Sequence, residues 1–299
     1  MRAETHQFYM TVIERVLRFV QDNLDAELSC STLSKVACVS QYHFFRMFEV
    51  YTGETIGDHV RRIRLEKAAF LLRNTSRSVI EVAFMTGFSS HQAFCRAFRT
   101  SYGAAPRMFR MLDDGSFLLS APSRVHIDEF GGLSRFKPQL QGGVTMEMSI
   151  KTLPELTVVY MMHTGAYNTV GQTWEKFNKW VGSHNELVTE DSMFICEYLD
   201  DPSVVPENKL RSLACMTVPA GYVPDHGVTM KTIPGCKYAV GRYVGPYTKL
   251  GEAWHTFYAE GLPSLGCKAK QSPCFELYIN GPHEVPPEQL ITDIYEAIE

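Results

Sequence analysis

Phe44-Phe45-Arg46-Met47-Phe48-Glu49-Val50-Tyr51-Thr52-Gly53 recurs at an offset of 50 as Phe94-Cys95-Arg96-Ala97-Phe98-Arg99-Thr100-Ser101-Tyr102-Gly103, and this recurrence decides the fold of the first third of the chain. In the first copy Phe44, Met47, Phe48 and Tyr51 stand at i, i+3, i+4 and i+7, the apolar face of an amphipathic helix. Gln41, Tyr42, Phe45, Arg46 and Glu49 fall on the opposite face. The offset carries that outer face onto His91, Gln92, Cys95, Arg96 and Arg99. A short apolar pattern precedes each copy, Leu33 to Ala37 and Ile80 to Ala83, so each unit reads helix, turn, helix. Between the units, residues 55–72 predict one longer helix, with Ile56, Val60, Ile63, Leu65, Ala68, Leu71 and Leu72 as its apolar stripe and Arg61, Arg62 and Arg64 as a basic patch. Asn74-Thr75-Ser76 ends it, and Ser78 with Glu81 three residues later reads as a capping box for the next helix.

A second repeat, of offset 80, begins further along. Lys151-Thr152-Leu153-Pro154 matches Lys231-Thr232-Ile233-Pro234. Gly165, Tyr167, Gly171, Trp174 and Phe177 then match Gly245, Tyr247, Gly251, Trp254 and Phe257, and Tyr198 and Pro202 match Tyr278 and Pro282. Residues 157–162 and 237–243 predict strands, 171–177 and 251–257 helices, and the segments ending at Tyr198 and Tyr278 further strands: a duplicated α+β unit. Residues 113–143, with Asp113-Asp114-Gly115 and the glycine pairs 131–132 and 142–143, carry little periodicity and read as a linker with at most one strand.

The 299 residues suit two domains, and 45% hydrophobic with 21% charged residues excludes disordered and disulfide-scaffold classes. The net charge of −4 argues at first against a polyanion partner, but it is an average of two unlike parts. Residues 1–112 hold 15 Lys and Arg against 10 Asp and Glu, whereas residues 113–299 hold 14 against 23. Only the first part has the balance of a nucleic-acid binder. Eight cysteines are scattered without a Cys-x-x-Cys pair, so buried thiols in a reducing cytoplasm are expected rather than zinc or disulfides. Neither a secretory leader nor an apolar run of the ~20 residues needed to span a bilayer is present, so no membrane association is expected.

Residues 11–110 resemble the tandem helix-turn-helix domain of the AraC/XylS transcription regulators. The resemblance rests on Leu33, Ala37, Ser40, Phe44, Arg46, Phe48 and Gly53; on Arg64, Leu65, Ala68 and Leu72; and on Ile80, Ala83, Gly87, Phe88, Phe94, Arg96, Phe98, Gly103, Pro106 and Arg110. It implies an all-α domain of seven helices over 1–112, with two reading helices entering successive major-groove segments of double-stranded DNA ~34 Å apart. The residue chemistry agrees. Arg46 and Arg96 suit bidentate donation to guanine, Gln41 and Gln92 suit adenine, and Tyr42 and Phe45 offer apolar contact to a thymine methyl. Ser40 and Ser90 suit phosphates, Arg61 of the basic patch is a further DNA-binding candidate, and His91 and Cys95 complete the outer face of the second reading helix.

Residues 144–299 resemble the GyrI-like effector-binding domains, which implies a small-molecule pocket lined by aromatics around one buried carboxylate that attracts lipophilic or cationic effectors. The strand parity of Cys274-Phe275-Glu276-Leu277-Tyr278 puts Glu276 and Tyr278 on one face, with Cys196 and Tyr198 at the corresponding places of the other copy. A glutamate on so apolar a strand must be exposed, paired or functional, since burial without a partner costs several kcal/mol. Tyr167, Trp174, Tyr247 and Trp254 are the aromatic candidates around it, and Glu197 has the opposite parity. The reading is a DNA-binding transcription regulator, not an enzyme, with a small-molecule effector, RNA polymerase as a further partner, and no cofactor or metal. Two alternatives stay open: a GyrI-like hydrolase with Glu276 as general base, and a module that binds a protein through the same cleft.

Overall fold

In the computed structural model the described residues are 2–39, 41–112, 117–128, 130–134, 136, 143–200, 205–224, 227–270, 272 and 274–299. They form two compact units. One comprises Tyr9–Ala37 and Phe48–Gln139; the other comprises Met1–Phe8, Cys38–Met47 and Leu140–Glu299.

The first part of the chain is helical: α1 (Arg2–Asp22), α2 (Cys30–Ala37), α3 (Gln41–Thr52), α4 (Ile56–Asn74), α5 (Val79–Met85), α6 (His91–Tyr102) and α7 (Pro106–Phe109). The breaks fall where local chemistry puts them. The Thr55 side chain accepts from Asp58 N at the start of α4, and Ser78 and Glu81 form the reciprocal capping box of α5. The repeated glycine that follows each Phe-x-Arg-x-Phe has a left-handed backbone, φ 72° at Gly53 and 70° at Gly103, which ends α3 and α6 without a Cβ clash. Phe94, Ala97 and Phe98 of α6 pack on Leu65, Ala68, Ala69 and Leu72 of α4, Val82 and Ala83 of α5, and Phe109 of α7. Cutting a fully buried ring such as Phe98 to alanine costs about 3–5 kcal/mol.

Three expectations for this region change. Arg62 belongs to no exposed basic patch: it is 7% exposed and donates to Glu54 Oε2, to Glu66 Oε1 and to the carbonyl of Val125. Arg64 turns its guanidinium onto the carbonyls of Leu24 and Ala26, leaving Arg61 as the exposed arginine of the three. Within the segment read as a linker, residues 119–127 are tied to α4 through Glu66, which accepts from the backbone N–H groups of Leu119 and Ile127 and lies 3.0 Å from His126 Nδ1. Arg62 read as part of a basic patch because the carbonyl that helps to enclose it, that of Val125, lies some 60 residues away, beyond the reach of local periodicity.

The later part holds β1 (Glu147–Leu153), β2 (Leu156–Thr164), α8 (Gly171–Ser183), β3 (Phe194–Tyr198), β4 (Arg211–Thr217), β5 (Thr229–Ile233), β6 (Cys236–Val244), α9 (Leu250–Thr256), α10 (Leu262–Leu265), β7 (Phe275–Tyr278) and β8 (Ile291–Ala297). A π-helical turn, Phe257–Gly261, joins α9 to α10. The strands form one antiparallel sheet in the order β1-β6-β8-β7-β3-β4-β2-β5, which reads the same from the other edge once β1–β4 are exchanged with β5–β8. Each Lys-Thr-Leu/Ile-Pro motif closes an edge strand that pairs with the other repeat: β1 joins β6, and β5 joins β2. The lysines follow their strands across. Lys151 meets Asp293 of β8 at 3.1 Å, and Lys231 meets Glu197 of β3 at 2.6 Å. Alternation splits the sheet into two faces. Val158, Ile195, Leu213, Cys215, Val240, Phe275 and Tyr295 join one core cluster, and Val159, Ala214 and Met216 pack with Phe177, Trp180 and Val181 of α8 in another. No helix among the described residues is long and apolar enough to cross a membrane.

Candidate functional site

The helical region presents α6, the second helix expected to read DNA, openly. Gln92, Arg96 and Arg99 are exposed along α6, and His91 and Cys95 are half-buried, with the Cys95 Sγ 3.4 Å from His91 Nε2. Ser90 caps the helix by accepting from Ala93 N at 3.2 Å, so its hydroxyl has a structural task beside any phosphate contact. On α3 the picture differs. Phe45, expected on an open reading face, is 8% exposed, and Arg46 is half-buried. Ser40 and the side chains of Gln41 and Tyr42 lie outside the described residues.

Residues 38–47 belong to the same compact unit as the sheet. Within that unit the His43 ring meets Tyr258 edge-on at 5.0 Å, with its Nδ1 3.6 Å from Glu296 Oε1. Tyr258 donates to Glu296 Oε2 at 2.7 Å. The His43–Glu296 separation is that of an ion pair, but burial pushes the His43 imidazole down to about 3 and the Glu296 carboxyl up to about 8. Burial decides here, since both side chains are wholly enclosed, and the two meet as neutral groups. Three residues on from His43, Arg46 places its guanidinium carbon 5.5 Å from the centroid of the Trp254 ring.

All six residues expected to line the pocket converge on the centre of the sheet. Glu276 of β7 is 1% exposed, and both its oxygens are engaged. Trp254 Nε1 donates to Oε1 at 2.7 Å; Tyr278 and Tyr198 donate their hydroxyls to Oε2 at 2.9 and 3.0 Å. Burial raises the Glu276 carboxyl above its ordinary range, and the three ring donors and the charge of Arg46 pull it part of the way back. Further rings extend the cage. Trp174 of α8 packs edge-on to Tyr278 at 5.5 Å, Tyr247 tilts against Tyr278 at 5.2 Å, and Tyr167 meets Tyr198 at 4.8 Å. The indole nitrogen of Trp174 is buried with no hydrogen-bond partner among the described residues. Glu197, on the opposite face, is occupied by Lys231.

Strand parity therefore located Glu276, and the repeat located its ring partners in pairs. Tyr198, a donor to the carboxylate, was legible only as the repeat mate of Tyr278. No group of three or more His, Cys, Asp or Glu side chains suited to a metal occurs among the described residues, and the seven cysteines described are free thiols.

The profile of the GyrI-like small molecule binding domain matches residues 146–299, and that of a helix-turn-helix domain matches residues 33–111. The chain is 35% identical over 107 residues to the transposon Tn10 TetD protein of Escherichia coli, a match that covers 36% of this chain and 78% of TetD. To the right origin-binding protein of Escherichia coli K12 it is 34% identical over 115 residues, 38% of this chain and 40% of that protein. Among solved structures, the C-terminal domain of EcmrR aligns at 16% identity with a TM-score of 0.43, covering 52% of this chain and 99% of that one. The chain belongs to the AraC-type helix-turn-helix transcription regulators that carry a GyrI-like small-molecule-binding domain.

Proposed function

We propose that the GyrI-like half senses a lipophilic cation at Glu276 and that the paired reading helices α3 and α6 carry the response to DNA. One observation carries the first part: a buried carboxylate held by three aromatic donors, inside a cage of six rings. An anion in such a site attracts a cation by Coulomb force, and ring faces add the attraction of their quadrupoles while excluding water. The unpartnered Trp174 Nε1 suits an effector that also carries a hydrogen-bond acceptor. Because both Glu276 oxygens are bonded to ring donors, the carboxylate is better placed to hold charge than to take a proton from water, which favours sensing over hydrolysis.

For DNA, the exposed Gln92 and Arg96 of α6 have the chemistry of adenine and guanine readers, with Arg61 and Ser90 as phosphate contacts. Gln41, Tyr42, Phe45 and Arg46 hold the equivalent places on α3. Such a regulator works in the cytoplasm, with RNA polymerase as its expected protein partner.

The test is calorimetric binding of tetraphenylphosphonium to the full chain and to Glu276→Gln, beside DNA anisotropy on a duplex selected in vitro. Loss of at least tenfold in cation affinity in Glu276→Gln supports the pocket; equal affinity rejects it. Arg96→Ala should weaken specific DNA binding by about 1–3 kcal/mol, and an unchanged affinity rejects α6 as a reader. Turnover of the bound compound would instead favour the hydrolase.

A further inference from the structure

The pocket already faces a cation that the protein itself supplies. Arg46 lies over the ring of Trp254, the same ring whose nitrogen holds Glu276, and its positive charge acts on the Glu276 carboxyl and on the neighbouring Cys274 thiol. Three residues earlier on the same helix His43 is enclosed against Tyr258 and Glu296, so the contact involves two positions one helical turn apart rather than a single stray side chain. Phe45, between them, is buried as well. Arg46 is also the residue whose chemistry suits guanine on the first reading helix.

We propose that Arg46 is the resident cation of the effector pocket: a cationic effector takes its place beside Trp254 and Glu276, and the displaced arginine becomes available to DNA. The inference rests on reading the pocket as a cation site. Two cations compete for one buried carboxylate, so the effector favours the state in which α3 has left its seat. DNA that is read by Arg46 favours the same state. Two ligands that select one state help each other by the same factor, and the coupling is reciprocal. The effector is thus an inducer of DNA binding, and the seated form is the low-affinity one.

The experiment uses the full chain, tetraphenylphosphonium as the probe and a duplex selected in vitro. In the wild type, saturating probe should raise DNA affinity by about tenfold, within the usual range of such couplings. Arg46→Met should bind the probe about tenfold more tightly than wild type and lose the coupling; Arg46→Lys, which keeps a cation, should stay near wild type, as should the surface control Arg107→Met. If Arg46→Met binds the probe as wild type does while Glu276→Gln loses it, the pocket stands and the role of Arg46 falls. If no variant binds the probe, the cation reading of the pocket falls, and the seat is judged without ligand. Trp254→Leu should then raise DNA affinity several-fold, and an unchanged affinity overturns the proposal. Should Trp254→Leu fail to fold, Trp254→Phe keeps a ring in the core and should show a smaller rise in the same direction.

Discussion

Cys196 and Glu276 stand opposite each other in the antiparallel pairing of β3 with β7, at the centre of the eight-stranded sheet. They hold corresponding places in the two repeats, so a nearly symmetric scaffold presents a thiol on one side and a carboxylate on the other. Burial, with the charge of Glu276 adding to it, raises the Cys196 thiol far above its ordinary range and keeps it neutral. Of this facing pair, Glu276 is therefore the side chain that can bring negative charge to the centre of the cage. Cys196→Asp would set two carboxyls face to face with donors for one, and should destabilise the protein by about 2–4 kcal/mol in urea unfolding. Cys196→Ala, which only shortens a small buried side chain, should cost about 1 kcal/mol. Equal costs for the two variants would refute the one-charge reading.

Cation binding should strengthen as pH rises. The folded Glu276 carboxyl is raised above its ordinary value, so the stability it lends as a neutral acid is complete below about pH 4.5 and is lost as pH climbs through the folded value. A bound cation selects the ionised form, which makes affinity rise across that same window. Tyr278→Phe removes one donor to Oε2 and should move the midpoint of tetraphenylphosphonium affinity to higher pH. A midpoint that stays in place in this variant would argue against Glu276 as the titrating group.

Glu296 and His43 make opposite contributions to the pH dependence of stability. Glu296, raised to about 8, contributes stability that is whole below about pH 4.5 and disappears as pH rises through about 8. His43, lowered to about 3, contributes stability that is whole above about pH 6.5 and disappears as pH falls through about 3. Of these two groups only Glu296 titrates above about pH 6.5, and its contribution should make thermal stability decline from there towards pH 8 in the wild type. Glu296→Gln keeps the neutral shape and the contact to Tyr258, and its melting temperature should be flatter over that interval. A parallel decline in both proteins would show that the carboxyl is not the cause.

The segment 117–127 should detach when its charge anchor on α4 is broken. Arg62 bridges Glu54 and Glu66, and the Glu54 carboxyl, though burial pushes it up, is held down to about 2 by His59 and Arg62. Arg62→Ala leaves two buried carboxylates without that cation and should cost about 3–5 kcal/mol. Limited proteolysis should then cut near residue 120 well before the helices are attacked. If the segment stays protected in a folded Arg62→Ala protein, the network does not hold it.

The helices, their caps and the parity of β7 could be read from residues close together in the chain. Helical spacing buried Phe44, Met47, Phe48 and Tyr51 as expected, Ser78 and Glu81 made the capping box, and Glu276 faces the same way as Tyr278. These are consequences of a 3.6-residue and a two-residue period, which act over a handful of positions. The aromatic candidates were legible for a related reason: the offset of 80 matches Tyr167 with Tyr247, Trp174 with Trp254 and Tyr198 with Tyr278.

Tertiary structure alone decided what those local elements meet. Lys151 and Lys231 sit on edge strands that cross to the opposite repeat, Arg62 and Glu66 are buried by a segment some 60 residues away, and Arg46 reaches a tryptophan more than 200 positions along the chain. Each involves a charged side chain whose pattern in sequence is that of a solvated surface. Burial of such a group is stable only when a partner satisfies its charge, and periodicity carries no record of a partner so distant. Residue spacing set out the two repeats and the apolar face of each helix and strand; the fold decided which of the polar side chains are enclosed as well, and by whom.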